Sequence, residues 1–330
     1  MDYKVVFIIS SGDKNTRYLI QDDCESFFSI KVPTGSYRIG DVFSYDENLI
    51  PAKQEWIEKF KNQKDSYPRS QLMKHLRWYK QTYLKDNSNG KYRGSVKSHI
   101  FDAPEKNLLC SFGYQDVLID KMNSLGDELR TDFTHLTSSQ AFAVNFFSPL
   151  MKENKLSIIN QCFVNSISEN CSFEEILDTN EETQFDFLTR DFNNKPLCSV
   201  EVKYSESGFG STIGDTKHLD KLTKEYRDNM RELTIVDEQE WSFFEFYQVW
   251  RNLLYTIRHR GQHICFLFPR FREDLKKTLE EIFAKCKEEY RQFFHIIVAD
   301  DIVEDIIHNY SSMKPYYEEF KLKYLDINRV

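Results

Sequence analysis

Glycine and proline are scarce in this chain, 11 and 8 of 330 residues, against 27 phenylalanines and 18 tyrosines. Few residues are free to adopt strained turns, and many demand burial, so compact loops around a densely packed aromatic core are expected. No apolar run approaches the length needed to span a bilayer, so no membrane-crossing helix is expected. The opening Met1-Asp2-Tyr3-Lys4-Val5-Val6-Phe7 lacks the pattern of a signal peptide. The seven cysteines are odd in number and sit mostly in apolar segments such as His263-Ile264-Cys265-Phe266. No Cys-x-x-Cys occurs, which removes a zinc ribbon, and reduced core thiols in a cytoplasmic protein are the expectation. No internal repeat or low-complexity segment is present. The length suits one large domain or two modest ones.

Positive charge is also lacking overall: the net is -8. It is unevenly distributed, however. Residues 53–106 hold thirteen Lys/Arg and six Asp/Glu, a local +7 that leaves -15 for the rest. Phosphate contacts are local, so a basic segment matters more than the total. From Gln71 to Leu84 a helical stretch interleaves Lys74, His75, Arg77 and Lys80 with Trp78, Tyr79 and Tyr83. With Arg69, Arg93 and Lys97 these form a candidate nucleic-acid surface, the rings offering base stacking and the cations phosphate contacts. An amphipathic helix packed by its aromatics, its charges paired with the acidic remainder, fits the same pattern.

Patterning divides the chain into three parts. Residues 1–50 read as a small β-rich element, with strands at Val5–Ile9, Tyr18–Ile20 and Phe27–Val32 and turns at Ser11-Gly12-Asp13 and Pro33-Thr34-Gly35-Ser36. Residues 51–106 read as a basic helical segment, two helices broken near Ser66-Tyr67-Pro68. Residues 107–330 read as one α/β core. A helix capped by Ser138 or Ser139 should end at Pro149. Strands are expected near 158–164, 184–190 and 197–204, then helices at 216–231 and 243–258. The strand Ile264–Phe268, a helix at 272–289 and the strand Phe294–Val298 complete it.

The most informative stretch pairs Asp186, within Phe185-Asp186-Phe187, with Glu201-Val202-Lys203. Strand alternation projects Glu201 and Lys203 to one side and Val200 and Val202 to the other. An acid and a base on one face of a buried strand are costly unless paired or metal-bound. A divalent cation held by Asp186 and Glu201, with Lys203 beside it, accounts for all three.

This arrangement resembles the active-site signature of the PD-(D/E)XK nuclease superfamily, of restriction-endonuclease-like fold. Phe185 stands where the pattern has proline, and the (D/E)XK half is intact. Two further stretches look like a bacterial restriction-endonuclease-like subfamily. One is Thr137-Ser138-Ser139-Gln140-Ala141-Phe142-Ala143-Val144-Asn145-Phe146-Phe147-Ser148-Pro149-Leu150, as the first core helix. The other is Glu201–Glu206 with Gly208-Phe209-Gly210. The resemblance implies a central mixed β-sheet flanked by helices. It implies Mg²⁺ (or Mn²⁺) on Asp186, Glu201 and the carbonyl of Val202, and Lys203 orienting water or stabilising the phosphate. Phosphodiester hydrolysis is then expected, of DNA in preference to RNA, in restriction, repair or phage defence. Gln140 would position water or phosphate, with Glu206, Gln248 and Arg251 supporting; capping or surface roles are open for each. Assembly as a homodimer is left open.

Other readings remain at this point. A scaffold or non-catalytic nucleic-acid-binding protein could keep the fold, although such copies commonly lose one of the three residues. A nucleotide-sensing effector would use Gly208-Phe209-Gly210-Ser211-Thr212-Ile213-Gly214, but that spacing is one residue longer than the dinucleotide fingerprint. His259 and His263 are separated by Gly261 and have no glutamate between them, which argues against a zinc protease.

Overall fold

The computed structural model of the chain describes residues 2–11, 15–22, 27–33, 42–44, 49–57, 68–109, 112–178, 183–212, 216–259 and 261–329. The two expected N-terminal turns, the break at Ser66-Tyr67-Pro68 and the Gly214 end of the glycine loop lie wholly or partly outside these residues. The chain forms two compact units, Met1–Tyr67 with Ser211–Arg227, and Pro68–Gly210 with Asp228–Val330.

The first unit holds an antiparallel sheet of β1 (Asp2–Ser11), β2 (Asn15–Asp22), β3 (Phe27–Pro33), β4 (Val42–Ser44) and β5 (Ile50–Pro51), in the order β4-β1-β2-β3-β5. Register explains its small core. Tyr18 pairs with Ile30, Ile20 with Phe28 and Val5 with Ile20. Val5, Tyr18, Ile20 and Ile30 are buried together, each such aliphatic contributing about 1.5–3 kcal/mol.

The second unit begins with the helix Arg69–Trp78, continued by a wider turn over Tyr79–Tyr83. Leu72, Leu76, Tyr79 and Lys80 fall at helical spacing and are all buried. Next come β6 (Gly90–Tyr92) and β7 (Ser95–Lys97), joined by Arg93 and Gly94, both with positive φ. Two such residues make the turn whose twist suits a tight hairpin. Gly90 is required by crowding, since a Cβ there would lie 2.2 Å from the Phe101 carbonyl oxygen.

Helix Ser139–Lys152 is buried from Ser139 to Met151, and its start is capped by Ser138, whose hydroxyl accepts from the Ala141 N–H. It passes through Pro149 where a stop was expected. Proline removes the N–H that would bond the Asn145 carbonyl. The Tyr316 hydroxyl donates to that oxygen instead at 2.8 Å, so the helix loses no partner there.

The expected strand at 158–164 is two 3₁₀ turns, Leu156–Ile158 and Gln161–Phe163. The Asn160 side chain accepts from the Cys162 N–H, and this local bond replaces a sheet ladder. The sheet starts later, with β8 (Ser172–Asp178), β9 (Thr183–Arg190) and β10 (Pro196–Val202). It is completed by β11 (His263–Phe268) and β12 (Phe294–Val298), in the order β12-β11-β10-β9-β8. β8, β9 and β10 are antiparallel neighbours, and β10, β11 and β12 are parallel. Helices cover both faces. Phe147 of the buried helix stacks on Phe187 at 3.9 Å between centroids, and Phe283 of helix Glu273–Lys285 packs near Phe266 on the other face. This is an α/β mixed sheet with the architecture of a restriction-endonuclease-like core. Among the described residues no helix is long and apolar enough to cross a membrane.

Candidate active site

Three adjacent strands each contribute an acid to one row. Val200 pairs with Phe187, so the next pair inward along the register sets Glu201 opposite Asp186. Phe173 pairs with Phe187 and Glu175 with Phe185, which sets Glu174 across from Asp186 on its other side. Val200 and Val202 turn to the opposite face with Phe187. Asp186, Glu201 and Lys203 are only 4%, 4% and 7% exposed.

Each charge in the row is held. The Lys203 ammonium is 2.9 Å from Glu201 Oε1, which also accepts from Gln248 Nε2 at 2.7 Å. Glu201 Oε2 accepts from Asn252 Nδ2 at 3.2 Å. Both amides project from helix Tyr247–Leu253, four residues apart and so on one helix face. The Val202 N–H donates to Asp186 Oδ2 at 2.6 Å. Arg130 bonds Glu174 Oε2 at 2.8 Å and approaches Asp186 Oδ1 at 3.6 Å. Glu174 Oε1 is buried without a partner among the described residues.

Three carboxylates therefore face two cations, and ionisation reflects that imbalance. Burial and the charges of Glu201 and Glu174 push Asp186 well above the ordinary aspartate value. Burial likewise raises Glu174, against the pull of Arg130. For Lys203 burial acts downward, but Glu201, Glu206 and Asp186 outweigh it and hold the ammonium above its usual value. Lys203 is thus a cation at neutral pH.

The remaining expected residues are distributed as follows. Gln140 is buried with both ends engaged: its Nε2 donates to the Glu128 carbonyl at 2.9 Å and its Oε1 accepts from the Arg130 N–H at 3.0 Å. It anchors the turn that delivers Arg130 to the acids. Asn145 bonds the Leu109 N–H, the Asn107 and Ala141 carbonyls and the Tyr324 hydroxyl, a packing role. The Glu206 carboxylate accepts from the N–H groups of Tyr204 and Ser205, bracing the chain just past Lys203. Gln248 bonds the Gly210 N–H as well as Glu201, so it ties the glycine loop to the site. Arg251 lies over the Tyr247 ring at 5.8 Å and makes no bond to the acids.

Lys80 requires correction as a nucleic-acid contact. It is 1% exposed, and its ammonium donates to the carbonyls of Ser88, Ser98 and Ile100. It fastens the β6–β7 hairpin segment to the helix and has no surface to offer a phosphate. The helical spacing Leu72, Leu76, Tyr79, Lys80 carried that signal in the sequence. Arg69, Lys74, Arg77, Arg93 and Lys97 are exposed. None forms an ion pair among the described residues, so pairing with the acidic remainder does not neutralise them. Arg77 and Lys97 lie near enough to His99 to lower its proton affinity, after burial and His135. The bridge Ile100↔His135 joins this region to the segment that begins at Arg130.

Sequence reading missed Arg130, Glu174 and Asn252. Arg130 comes from a loop and Asn252 from a distant helix. Glu174 has φ 54° and lies on a strand, Ser172–Asp178, that was not expected.

No curated protein and no solved structure matches the chain. The family model described as "Restriction Endonuclease associating with ARP" matches residues 73–325, more than half of the chain and all of the acid row. The chain belongs to this restriction-endonuclease family.

Proposed function

We propose that the chain is a metal-dependent nuclease of the PD-(D/E)XK type, hydrolysing phosphodiester bonds of DNA. The observation that carries this reading is the convergence of Asp186, Glu201 and Lys203, all buried, on one face of a sheet whose family is one of restriction endonucleases. Burying these charges has no evident packing purpose, since well-packed apolar groups of similar volume in their place would be no less stable.

The residues fit a hard divalent cation. The donors are carboxylate oxygens, the set that suits Mg²⁺ or Mn²⁺. The clustering of three buried carboxylates, whose mutual repulsion raises Asp186, suits a cation between them. Asp186 and Glu201 would hold it, joined by the Val202 carbonyl. The N–H and C=O of one strand residue point to the same edge, and the Val202 N–H already points at Asp186. Glu174 offers a further oxygen. The bound ion would supply Lewis-acid polarisation of the phosphate and a more acidic water.

The chain's own residues do the rest. Lys203 stays protonated, so it stabilises the extra negative charge on the phosphorus centre and does not accept a proton. Gln248 and Asn252 fix the Glu201 carboxylate from above. Arg130 occupies Asp186 and Glu174 and is positioned to shift onto a phosphate oxygen when a cation takes its place. Lys74, Arg77, Arg93 and Lys97 supply sequence-independent attraction for the backbone.

The test is incubation of the protein with plasmid, linear and single-stranded substrates in Mg²⁺ or Mn²⁺, with EDTA as control. Cleavage that EDTA stops and that Asp186→Asn and Glu201→Gln lose supports the proposal. Binding without cleavage under every ion would support the non-catalytic reading instead.

A further inference from the structure

The face of the sheet turned away from the acids carries a second cluster. Cys198 pairs with His263 across β10 and β11, Val200 pairs with Cys265, and Cys265 pairs with His295 across β11 and β12. Directly opposed residues share a face, so Cys198, Cys265, His263 and His295 all project on the Val200 side. Cys162 approaches from the 3₁₀ turn Gln161–Phe163. The sulfurs of Cys162, Cys198 and Cys265 all lie within 4.8 Å of one another, and so do the ligand atoms of Cys162, His263 and His295. We infer that Cys162, Cys198 and Cys265 form a three-sulfur zinc site on this face, with water as the fourth ligand.

Distances favour a metal over a disulfide. Two thiolates at about 2.3 Å from one tetrahedral ion stand about 3.8 Å apart. Cys162 Sγ and Cys265 Sγ are 3.8 Å apart. A disulfide needs about 2.05 Å and can take only two of the three sulfurs. Three sulfurs form a soft set that excludes Mg²⁺ and Ca²⁺ and suits a tetrahedral zinc.

The surroundings supply what such a site needs. His263 Nδ1 and His295 Nε2 are 2.8 Å apart, a hydrogen-bond length and too short for both rings to bind one ion. The hydrogen-bonded pair adjoins Cys162 alone of the three sulfurs. The Ser166 hydroxyl donates to Thr189 Oγ1 at 2.9 Å, which leaves the Thr189 O–H for Cys198. Cys162 is only partly buried, so the cluster has a path to solvent. The neighbouring thiols of Cys198 and Cys265 hold Cys162 below the ordinary thiol value, while burial raises those two. Zinc entry would displace the remaining thiol protons into water. The ligands are scattered through the sequence and assembled by the sheet, so the absence of Cys-x-x-Cys does not argue against them. The ion would clamp β10 to β11 a few residues before Glu201.

The test uses the full chain, purified without chelator and measured for zinc, then exchanged into Co²⁺. About one zinc per chain is expected, and the cobalt form should show a sulfur-to-metal charge-transfer band with strong visible absorption. Zinc content should fall at least about tenfold in Cys162→Ser, and should be kept in Cys171→Ser and Asp186→Asn. If Cys162→Ser does not fold, the wild-type cobalt spectrum decides alone. Absence of the charge-transfer band, or zinc that is kept in Cys162→Ser but lost in Asp186→Asn, would overturn the site.

Discussion

The two faces of β10 teach more about this protein than its two units do. The strand places Ser199 and Glu201 on one side, with Lys203 just past its end, and Cys198, Val200 and Val202 on the other. The first face is charged, tied by amides and one lysine, and more negative than its cations can balance. The second is packed by Phe147, Phe187 and thiols. Burial is nearly equal on both. The second face gains stability from burial, whereas the first bears a cost that packing does not offset.

Substitutions should separate the faces. The largest effect is expected on the charged face: Asp186→Asn or Glu201→Gln should lower cleavage by at least about 10³-fold with the fold retained. Single-turnover assays with circular dichroism measure both. Phe187→Ala, on the apolar face, should do the reverse. Truncating a fully buried phenylalanine costs about 3–5 kcal/mol, read by denaturant unfolding, with any residual folded protein still active.

The basic surface gives an intermediate effect. Lys74→Ala with Arg77→Ala should reduce the magnitude of the salt slope of DNA binding by about 1.8 if each contacts one phosphate, since each contributes about 0.9. Lys80→Ala should leave the slope unchanged and lower the melting temperature, because its ammonium bonds carbonyls inside the fold.

The smallest effect is the most diagnostic of stored charge. The folded value of Asp186 lies above its ordinary 3.8, so ionising it destabilises the metal-free fold. That cost is absent below the ordinary value and grows as pH rises through and beyond it. Asp186→Asn in EDTA should therefore match the wild type in acid and exceed its stability near neutrality. Melting curves at the two pH values check this. An equal or lower melting temperature near neutrality would mean that the row is not under charge strain.

Alternation by two made Glu201, Lys203 and Asp186 legible, because Asp186 and Glu201 lie on neighbouring strands and Lys203 directly follows β10. Glu174 was not legible, since the strand that carries it, Ser172–Asp178, was itself not expected. Arg130 and Asn252 come from elements whose distance to the acids only the tertiary fold sets. Lys80 was misread because its charge was weighed above its place in the Leu72-Leu76-Tyr79 stripe. Helix Ser139–Lys152 outran Pro149 because a tyrosine far along the chain bonds the carbonyl that proline frees. Strands rich in β-branched and aromatic residues were found near their true limits, whereas 158–164 curled into turns through the side-chain bond of Asn160.

The central claim, that the charged face is a metal-dependent cleavage site, is tested most directly by Lys203→Ala. Single-turnover cleavage of plasmid DNA in Mg²⁺ or Mn²⁺ should be stopped by EDTA in the wild type and absent from the folded variant. Full cleavage by Lys203→Ala would contradict it, as would a wild type that cleaves nothing with either ion.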